Sequence, residues 1–333
     1  WLVAWTDVQG ADATVRAMRV SSAGALLDPA PTDLSTPGAV ASHPAVAWNG
    51  ALHIVLWSEL TGLSTRRVMG ATIDNGGAVR ASVAAVSGGT TDDQPATAAK
   101  GANALVVFRS TRAGNADIYA VRVTAALPAG TITRLDASDF ALVSQTDPQE
   151  SPAVAASGSA WLAAWQDDRN RATTGADIYG TRVNAAGAVQ DASGIVIGNG
   201  TGEDASVALT HDGSQWLATW TNKDGQSLRA IAHNGNPAGS TGSVSAAAGL
   251  TGDGAFGGAA ANPIVAWSDP GEGGAADLLG RRVGAALALD PAFPIATQTP
   301  NQTEPAMAFG ANHWLVVWVD DRFGADQRQL RVG

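Results

Sequence analysis

Short apolar runs alternate with turn-forming residues along this chain. In the stretch 151–187, runs at 152–155, 161–165 and 177–183 are separated by turns rich in Gly, Ser, Asp and Asn. Runs of roughly four to eight residues rich in Val, Ile, Trp and Tyr are typical of β-strands and are too short for helices. The pattern therefore predicts three short strands, named a, b and c in chain order. A weakly patterned fourth strand, d, is expected before the next strand a.

The b segment ends on an aromatic residue and recurs along the whole chain. Its copies lie at residues 1–5, 53–57, 104–108, 161–165, 216–220, 263–267 and 314–318. Because the closing aromatics stand at positions 5, 57, 108, 165, 220, 267 and 318, they are 47 to 57 residues apart. Periods of roughly 20 to 50 residues are typical of solenoids, propellers and repeat arrays. The repeat therefore predicts one domain, although the length of 333 residues alone would suggest two.

A four-stranded unit of this length fits the blade of a β-propeller, a fold with roughly four to eight such blades around a channel. The missing 3.6-residue period excludes helical solenoids. Strand b is apolar at nearly every position, as expected for a strand buried between neighbouring sheets. We therefore predict an all-β chain that forms a single β-propeller domain, residues 1–333, with about seven four-stranded blades. The first unit has no strand a and the last no strand d, so eight blades are the alternative if the chain is a fragment.

The composition excludes several classes of partner and of functional site. The net charge of −10 argues against nucleic acid as a partner, because nucleic-acid-binding proteins carry a basic stripe. The chain has no cysteine, which excludes disulfides, thiolate metal sites and a cysteine nucleophile. No apolar run approaches the ~18 residues of a transmembrane helix. The chain begins at Trp1, within a repeat unit, and we interpret it as a processed chain or a piece of a longer one.

Two phrases, Trp-Leu-Val-x-Trp-x-Asp-x-Arg and Asp-Ile-Tyr-Gly-x-Arg-Val, recur in strands b and c. They resemble a repeat of uncharacterised, secreted or cell-surface bacterial β-propeller proteins. The resemblance covers essentially the whole chain and is strongest in the third, fourth and seventh units. It implies a propeller fold and an extracellular or cell-envelope location, and it implies no activity.

In a four-stranded antiparallel blade, the b/c and d/a loops emerge on the same side. Here that side carries most of the charged loop residues, and function concentrates on loops held by a rigid scaffold. We therefore predict that this acidic side is the ligand face. The candidate ligand-binding residues are Asp167, Asp168, Arg169, Asp320, Asp321, Arg322, Asp269, Glu150, Asp204 and Glu304.

The same acidic residues also have a structural interpretation. An Asp two positions after the last Trp of strand b can accept hydrogen bonds from loop N–H groups. It can also pair with an arginine that recurs in strand c, at Arg19, Arg122, Arg182, Arg282 and Arg331. We expect this scaffold role for most copies, because features repeated from unit to unit usually serve the scaffold. The two Asp-Asp-Arg copies are the best candidates for a further role.

Metal and catalytic motifs are scarce. No cofactor is predicted; calcium is a hypothesis for the acidic loops, although no EF-hand pattern occurs. The five histidines lack metal-ligand spacing, and no Gly-x-Ser-x-Gly elbow is present. The Gly-x-Gly-x-x-Gly match at 252–257 precedes a strand and opens no helix, so it is not a dinucleotide site. Glycoside hydrolysis requires only two carboxyl groups about 5 to 10 Å apart, and the sequence singles out no pair.

The sequence thus favours a non-catalytic extracellular binding or assembly module. Its b/c and d/a loops are predicted to bind a glycan or a protein at the cell surface. One alternative is a glycan-processing propeller enzyme that uses paired acids on the same face. The other is a structural subunit of a cell-surface assembly, in which a partner chain completes the terminal blades.

Overall fold

The structure is a computed structural model that describes residues 1–245, 254–257, 263–269, 275–299, 301–322 and 329–332. The described chain consists of β-strands and one short 3₁₀ helix, Ala285–Leu287. No helix in these ranges has the length and apolar character needed to cross a membrane. Residues 252 and 253 of the Gly-x-Gly-x-x-Gly match lie outside the described residues.

Internal contacts divide the chain into two compact units. One unit comprises Trp1–Trp165 and Thr181–Gly194, and the other comprises Gln166–Gly180 and Ile195–Gly333. Sheets 1 to 3 lie in the first unit and sheets 5 to 7 in the second, whereas sheet 4 has residues in both.

The first unit's sheets are antiparallel, with strands that follow one another in the chain. Sheet 1 contains β1 (Leu2–Gln9), β2 (Asp12–Arg19) and β3 (Thr32–Asp33). Sheet 2 contains β4 (Ala41–Trp48), β5 (Leu52–Leu60), β6 (Arg66–Asp74) and β7 (Val79–Ala85). Sheet 3 contains β8 (Asp92–Lys100), β9 (Asn103–Ser110), β10 (Asp117–Thr124), β11 (Thr133–Arg134) and β12 (Phe140–Val143). Both β11 and β12 pair with β10 and share the position of strand d.

The remaining sheets repeat this order. Sheet 4 contains β13 (Gln149–Ala156), β14 (Ala160–Asp167), β15 (Asp177–Asn184) and β16 (Ile195–Gly198). Sheet 5 contains β17 (Ala205–His211), β18 (Trp216–Asn222), β19 (Gly225–Ile231) and β20 (Pro237–Ser243). Sheet 6 contains β21 (Gly254–Gly257), β22 (Ile264–Asp269), β23 (Asp277–Arg282) and β24 (Phe293–Ala296). Sheet 7 contains β25 (Gln302–Gly310), β26 (His313–Asp320) and β27 (Gln329–Val332).

The repeated antiparallel order a, b, c, d is that of propeller blades, and it confirms the predicted all-β propeller class. The prediction of seven four-stranded blades is wrong. Among the described residues, four sheets have four strands, sheet 3 has five, and sheets 1 and 7 have three each. Fewer than seven blades are therefore complete. The count failed because every b strand was equated with a full blade, although sheet 1 has no strand a and sheet 7 has no strand d among the described residues.

Strand b is buried on both faces, as its continuous apolar pattern predicts. In β5, Ile54 and Leu56 pack against residues of β9 in sheet 3. Val55 and Trp57 point to the opposite face and pack against residues of β2 in sheet 1. Since successive side chains of a strand point to opposite faces, one strand contributes to two cores. The large aromatic residues of strand b thereby anchor neighbouring sheets of the same unit.

Candidate functional site

The b/c and d/a loops meet at one end of the sheets in the first unit. Arg112, in the b/c loop of sheet 3, forms an ion pair of 2.7 Å with Asp92 at the start of β8. The Thr111 N–H, in the same loop, donates to the carbonyl oxygen of Thr91 at 3.4 Å. In this sheet, the prediction that the b/c and d/a loops emerge on the same side is confirmed.

A charged cluster lies at this end, around Arg109 near the end of β9. Its Nη1 lies 3.3 Å from Oδ1 of Asp93, the second residue of β8. Its Nε and Nη2 each lie 3.2 Å from Oε1 of Glu150, the second residue of β13. One guanidinium therefore holds the carboxylates that begin two successive a strands. Such charge-assisted contacts are roughly twice as strong as neutral hydrogen bonds.

The three charged side chains remain open to solvent. The exposed fraction is 23% for the side chain of Arg109, 24% for Asp93 and 43% for Glu150. Each side chain is thus held by its partners and still presents polar atoms at the surface. A ligand that arrives from solvent can reach all three.

The backbone near the start of strand a has an unusual conformation. Gln94 and Ser151, which follow Asp93 and Glu150, have φ values of 49° and 53°. Left-handed φ values are uncommon for residues other than glycine. The pairing register of β8 shifts between Asp93 and Ala96, which marks a β-bulge. The bulge turns the chain here and presents adjacent side chains together.

Hydrogen bonds connect each of these two bulges to the preceding sheet. The Ser151 N–H donates to Oε1 of Gln94 at 3.0 Å, and the Gln94 N–H donates to Oγ of Ser58 at 3.0 Å. His43 and, in the second unit, Ser206 and Glu304 have the same left-handed φ of 53°. The bulge is therefore a feature of the repeat.

A second group of polar side chains adjoins Asp93. Nη1 of Arg66 donates to Oγ of Ser42 at 3.2 Å, and Nδ1 of His43 lies 3.0 Å from the same oxygen. Asp93 and Arg66 lie close enough to His43 to act electrostatically on its imidazole. We name the combined set the Arg109 cluster. It comprises Ser42, His43, Arg66, Asp93, Gln94, Arg109, Glu150 and Ser151.

The predicted residues Asp167 and Arg169 bond mainly to each other. Asp167 is fully buried and accepts hydrogen bonds from the N–H, Nε and Nη2 of Arg169 at 3.0, 2.8 and 2.7 Å. The Arg169 guanidinium lies 3.9 Å from the centre of the Tyr179 ring. The predicted acceptance of a loop N–H by this Asp is confirmed. Asp320 and Arg322 repeat the arrangement in sheet 7, with an N–H contact of 3.0 Å.

The predicted pairing of these Asp residues with the strand c arginines is wrong. Arg182 instead pairs with Asp191 after strand c at 2.7 Å. Arg19 pairs with Asp28 and Arg122 with Asp136, in each case at 2.5 Å.

Distance along strand c explains this error. In sheet 3 the end of strand b, Ser110, lies opposite Asp117, five residues before Arg122. Five residues of a strand span roughly 17 Å, so that arginine reaches only the c/d turn. Arg282 lies over the Phe293 ring at 5.8 Å. The side chain of Arg331 lies outside the described residues.

The other predicted ligand-binding residues are distributed among several local contacts. Asp168 pairs with Arg171 at 2.9 Å. Asp269 accepts the indole N–H of Trp267 at 3.2 Å. Asp321 accepts Nδ2 of Asn301 at 3.4 Å, and Glu304 is an exposed bulge residue. Of the predicted set, only Glu150 belongs to the Arg109 cluster.

Asp204 is almost completely buried, as Asp167 and Asp320 are. Its exposed fraction is 1%. Burial raises the pKa of Asp204 to about 6, the Trp220 side chain opposes this effect, and the nearby Asp177 adds to it. A carboxyl group so deeply buried cannot contact a ligand on the surface.

Sequence patterns missed the centre of the cluster, because Arg109 and Asp93 do not stand in the recurrent Asp-x-Arg phrase. The available signal was the polar pair at the start of a strand a, such as Asp93-Gln94 and Glu150-Ser151. Within the described ranges, no group of three or more His, Asp or Glu residues is arranged to hold a metal ion. Calcium binding stays a hypothesis.

A scan of protein-family models and a search of curated proteins give no match. Solved structures do match. A sialidase of Trypanosoma rangeli superposes with a TM-score of 0.55 at 10% identity, over 95% of this chain and 56% of that chain. A subtype N10 neuraminidase-like protein from a little yellow-shouldered bat gives 0.53 at 8% identity, over 88% of this chain and 94% of that one. The likeness is one of fold. This chain thus spans little more than half of the trypanosomal sialidase.

Proposed function

We propose that this chain is a non-catalytic glycan-binding propeller that binds its ligand at the Arg109 cluster. The observation that carries the proposal is the guanidinium of Arg109, which holds Asp93 and Glu150 while all three remain partly exposed. These residues lie at the ends of strands β8, β9 and β13, next to the b/c and d/a loops that were predicted to form the ligand face. The sialidase-like fold of the solved neighbours supports a glycan rather than another class of ligand.

The chemistry of the cluster suits a polyhydroxylated ligand. Sugar hydroxyl groups both donate and accept hydrogen bonds, and the cluster offers carboxylate acceptors beside amide and hydroxyl groups. Asp93 and Glu150 are held in position before a ligand arrives. Preorganised groups lose less conformational freedom on binding, which favours affinity.

A glycan array followed by calorimetry tests this proposal, with Asp93→Asn and Glu150→Gln as variants. Each variant removes one charged acceptor and its ion pair, so we expect affinity for the array-selected glycan to fall at least tenfold. Asp168→Asn is the matched control, because Asp168 lies in a b/c loop outside the cluster, and it should bind like the wild type. Binding that is equal in all four proteins would refute the assignment. Parallel runs with calcium and with a chelator test the calcium hypothesis.

A glycan-processing enzyme is the second candidate. Two carboxylates that contact one guanidinium lie within roughly 10 Å of each other, inside the range used in glycoside hydrolysis. Both, however, accept N–H groups of the same Arg109 guanidinium. Turnover of aryl glycosides that Glu150→Gln or Asp93→Asn abolishes, with the fold intact, would establish the enzyme in place of the binding module.

Location and organisation belong to the same proposal. We propose an extracellular or cell-envelope protein, as the resemblance of strands b and c implies, in which residues 1–333 act as one domain. Fractionation of the producing cells tests the location. In the third candidate role, a subunit of a surface assembly, a partner chain pairs with the terminal sheets. Light scattering of the purified chain tests that role against the binding module.

A further inference from the structure

Two histidines that are 22 residues apart in the chain meet in sheet 5. His211 is the last residue of β17, and His233 lies in the turn that follows β19. Their Nε2 atoms are 2.7 Å apart. The two imidazole rings are within 9° of parallel, and their centres are 5.0 Å apart. The turns after strands a and c of this sheet therefore bring two imidazole nitrogens together.

The scaffold of sheet 5 holds the two histidines in place. Strands β17 and β19 both pair with β18, so one strand fixes the spacing of both histidines. Trp216, the first residue of β18, is fully buried. Its ring lies edge-on to both imidazoles, 5.8 Å from the centre of His211 and 4.9 Å from that of His233. His211 is half-buried and His233 is exposed, so a solute can reach the pair from solvent.

The histidine pair is not a feature of every sheet. In sheet 2, Trp48 stands where His211 stands, since each pairs with the first residue of its b segment. In the turns of sheets 2 and 4, Asn75 and Ala185 stand where His233 stands, because the same two backbone hydrogen bonds close these turns. Features repeated from unit to unit usually serve the scaffold. A pair that these sheets lack points instead to a local role.

Backbone contacts assign the proton that lies between the rings. The Gly213 N–H donates to Nδ1 of His211 at 3.1 Å. Because a backbone N–H can only donate, Nδ1 of the neutral His211 ring has no proton, and its proton is on Nε2. That proton is directed at Nε2 of His233, which accepts it. The lone pair of the His233 nitrogen is therefore aimed at the space between the two rings.

We propose that His211 and His233 bind a divalent transition-metal ion, such as Zn²⁺, Ni²⁺ or Cu²⁺, with water as its other ligands. Imidazole nitrogen is a preferred ligand of these ions. Two bonds of roughly 2.0–2.1 Å, at an angle of about 90° to 110°, place the two nitrogens about 2.9 to 3.4 Å apart. The observed separation of 2.7 Å has to widen by well under 1 Å. This inference does not rest on the proposed glycan function.

Metal binding requires one change in His211. Its proton moves from Nε2 to Nδ1 through solvent, and both rings turn so that their Nε2 lone pairs point at the ion. The contact between Nδ1 and the Gly213 N–H is then lost. Gly213 is exposed, so its N–H can donate to water instead. The two metal–nitrogen bonds replace the hydrogen bond between the rings.

The donor atoms also define the class of ion. Asp212, next to His211, accepts four hydrogen bonds from the N–H and side-chain groups of Ser214 and Gln215. Its carboxylate is therefore engaged in the turn, and the site offers nitrogen ligands alone. Calcium requires roughly six to eight oxygen ligands and does not fit this site.

Calorimetric titration of the whole chain with Ni²⁺ and with Zn²⁺ at neutral pH, after treatment with a chelator, tests the proposal. The chain has no cysteine, so no thiolate competes for the ion. We expect one ion per chain, and affinity should fall at least tenfold in His211→Gln and in His233→Gln, because each variant keeps one imidazole of the two. Ca²⁺ should not displace the bound Ni²⁺.

His313→Gln is the matched control. His313 is exposed, and its Nδ1 lies 2.8 Å from the carbonyl oxygen of Ala311 in a turn of sheet 7. This variant should bind Ni²⁺ and Zn²⁺ within twofold of the wild type. Equal affinities in the wild type, His211→Gln and His233→Gln would overturn the proposal, as would a wild type that binds neither ion.

Nuclear magnetic resonance of the wild type locates the ion without any substitution and so serves if a variant fails to fold. In protein labelled with nitrogen-15, Zn²⁺ should shift the Nε2 signals of His211 and His233. It should also shift the amide signal of Gly213, which loses its contact with Nδ1. Shifts confined to other histidines would overturn the assignment.

Discussion

Asp167 shows how a single side chain stabilises the end of a strand. It is fully buried, and its two oxygens accept N–H groups of Arg169. Removal of one partner of a buried pair leaves the other charge uncompensated, at a cost of about 3 kcal/mol. We therefore expect Asp167→Ala to lower the free energy of unfolding by about 3 kcal/mol, measured by urea denaturation.

Asp168 is the matched control for this substitution. It stands next to Asp167, and its partner Arg171 is 54% exposed. Because exposed ion pairs contribute roughly 0 to 1 kcal/mol, Asp168→Ala should change stability by less than about 1 kcal/mol. Equal losses for the two variants would contradict a special role for the buried pair.

For single residues, the sequence indicates which side chains recur at structural positions, but it does not indicate which residues they pair with. The recurrent Asp after strand b was recognised, and an arginine was available both two residues later and in strand c. Which of the two arginines pairs with this Asp depends on how far along strand c the second arginine lies. Arg182 lies too far along and pairs with Asp191. That distance requires the strand register, which the sequence does not contain.

Gly198, in strand d of sheet 4, fixes how closely β16 approaches sheet 5. A Cβ at this position would lie 2.7 Å from the indole of Trp220, which is only 2% exposed. Because the indole is buried, it can move only by displacing its neighbours, and overpacking of a core costs roughly 1–3 kcal/mol. We expect Gly198→Ala to destabilise the protein by about 2 kcal/mol in chemical denaturation.

Gly200 provides the comparison two residues later. No atom lies within 4 Å of a Cβ built there. Gly200→Ala should therefore leave the denaturation midpoint within experimental error of the wild type. A similar loss in both variants would point to backbone effects of alanine instead of the contact with Trp220.

Strands a, b and c could be predicted, because apolar runs and turn residues mark them. Strand d was expected only as a weakly patterned strand without bounds, because its copies vary from two residues in β3 (Thr32–Asp33) to seven in β7 (Val79–Ala85). The bulges of strand a were also missed. Their left-handed residues, Gln94 and Ser151 among them, have side chains that give no conformational signal. The Arg109 cluster depends on those bulges, so its assembly was beyond sequence patterns.

At the scale of the whole molecule, two buried groups, His53 and Asp204, change the stability in opposite directions as the pH changes. Burial lowers the pKa of His53 to about 4, with the chain's amino terminus adding to the effect. The folded state then binds fewer protons than the unfolded state, so this contribution to stability is lost as pH falls from 6.5 towards 4. Burial raises the pKa of Asp204 to about 6, and its contribution is lost as pH rises from about 4 to 6.

Each contribution amounts to about 3 kcal/mol, and they have opposite slopes between pH 4 and pH 6. The stability of the wild type should therefore be nearly constant across that interval. Below pH 4, stability should fall as the pH falls, because three aspartates have lowered pKa values. Burial raises the pKa values of Asp136 and Asp191, but hydrogen bonds from their arginine partners lower them further than burial raises them. The hydrogen bond from Arg19 likewise lowers the pKa of Asp28.

Substitution of either group should uncover the slope of the other. In Asp204→Asn, stability should rise by about 2 to 3 kcal/mol from pH 4 to pH 6.5, since only His53 still titrates there. In His53→Gln, it should fall by a similar amount over the same interval. Urea denaturation at half-unit pH steps measures both curves. If both variants retained the flat wild-type curve, the opposing titrations of His53 and Asp204 would not be the cause of the constant stability between pH 4 and pH 6.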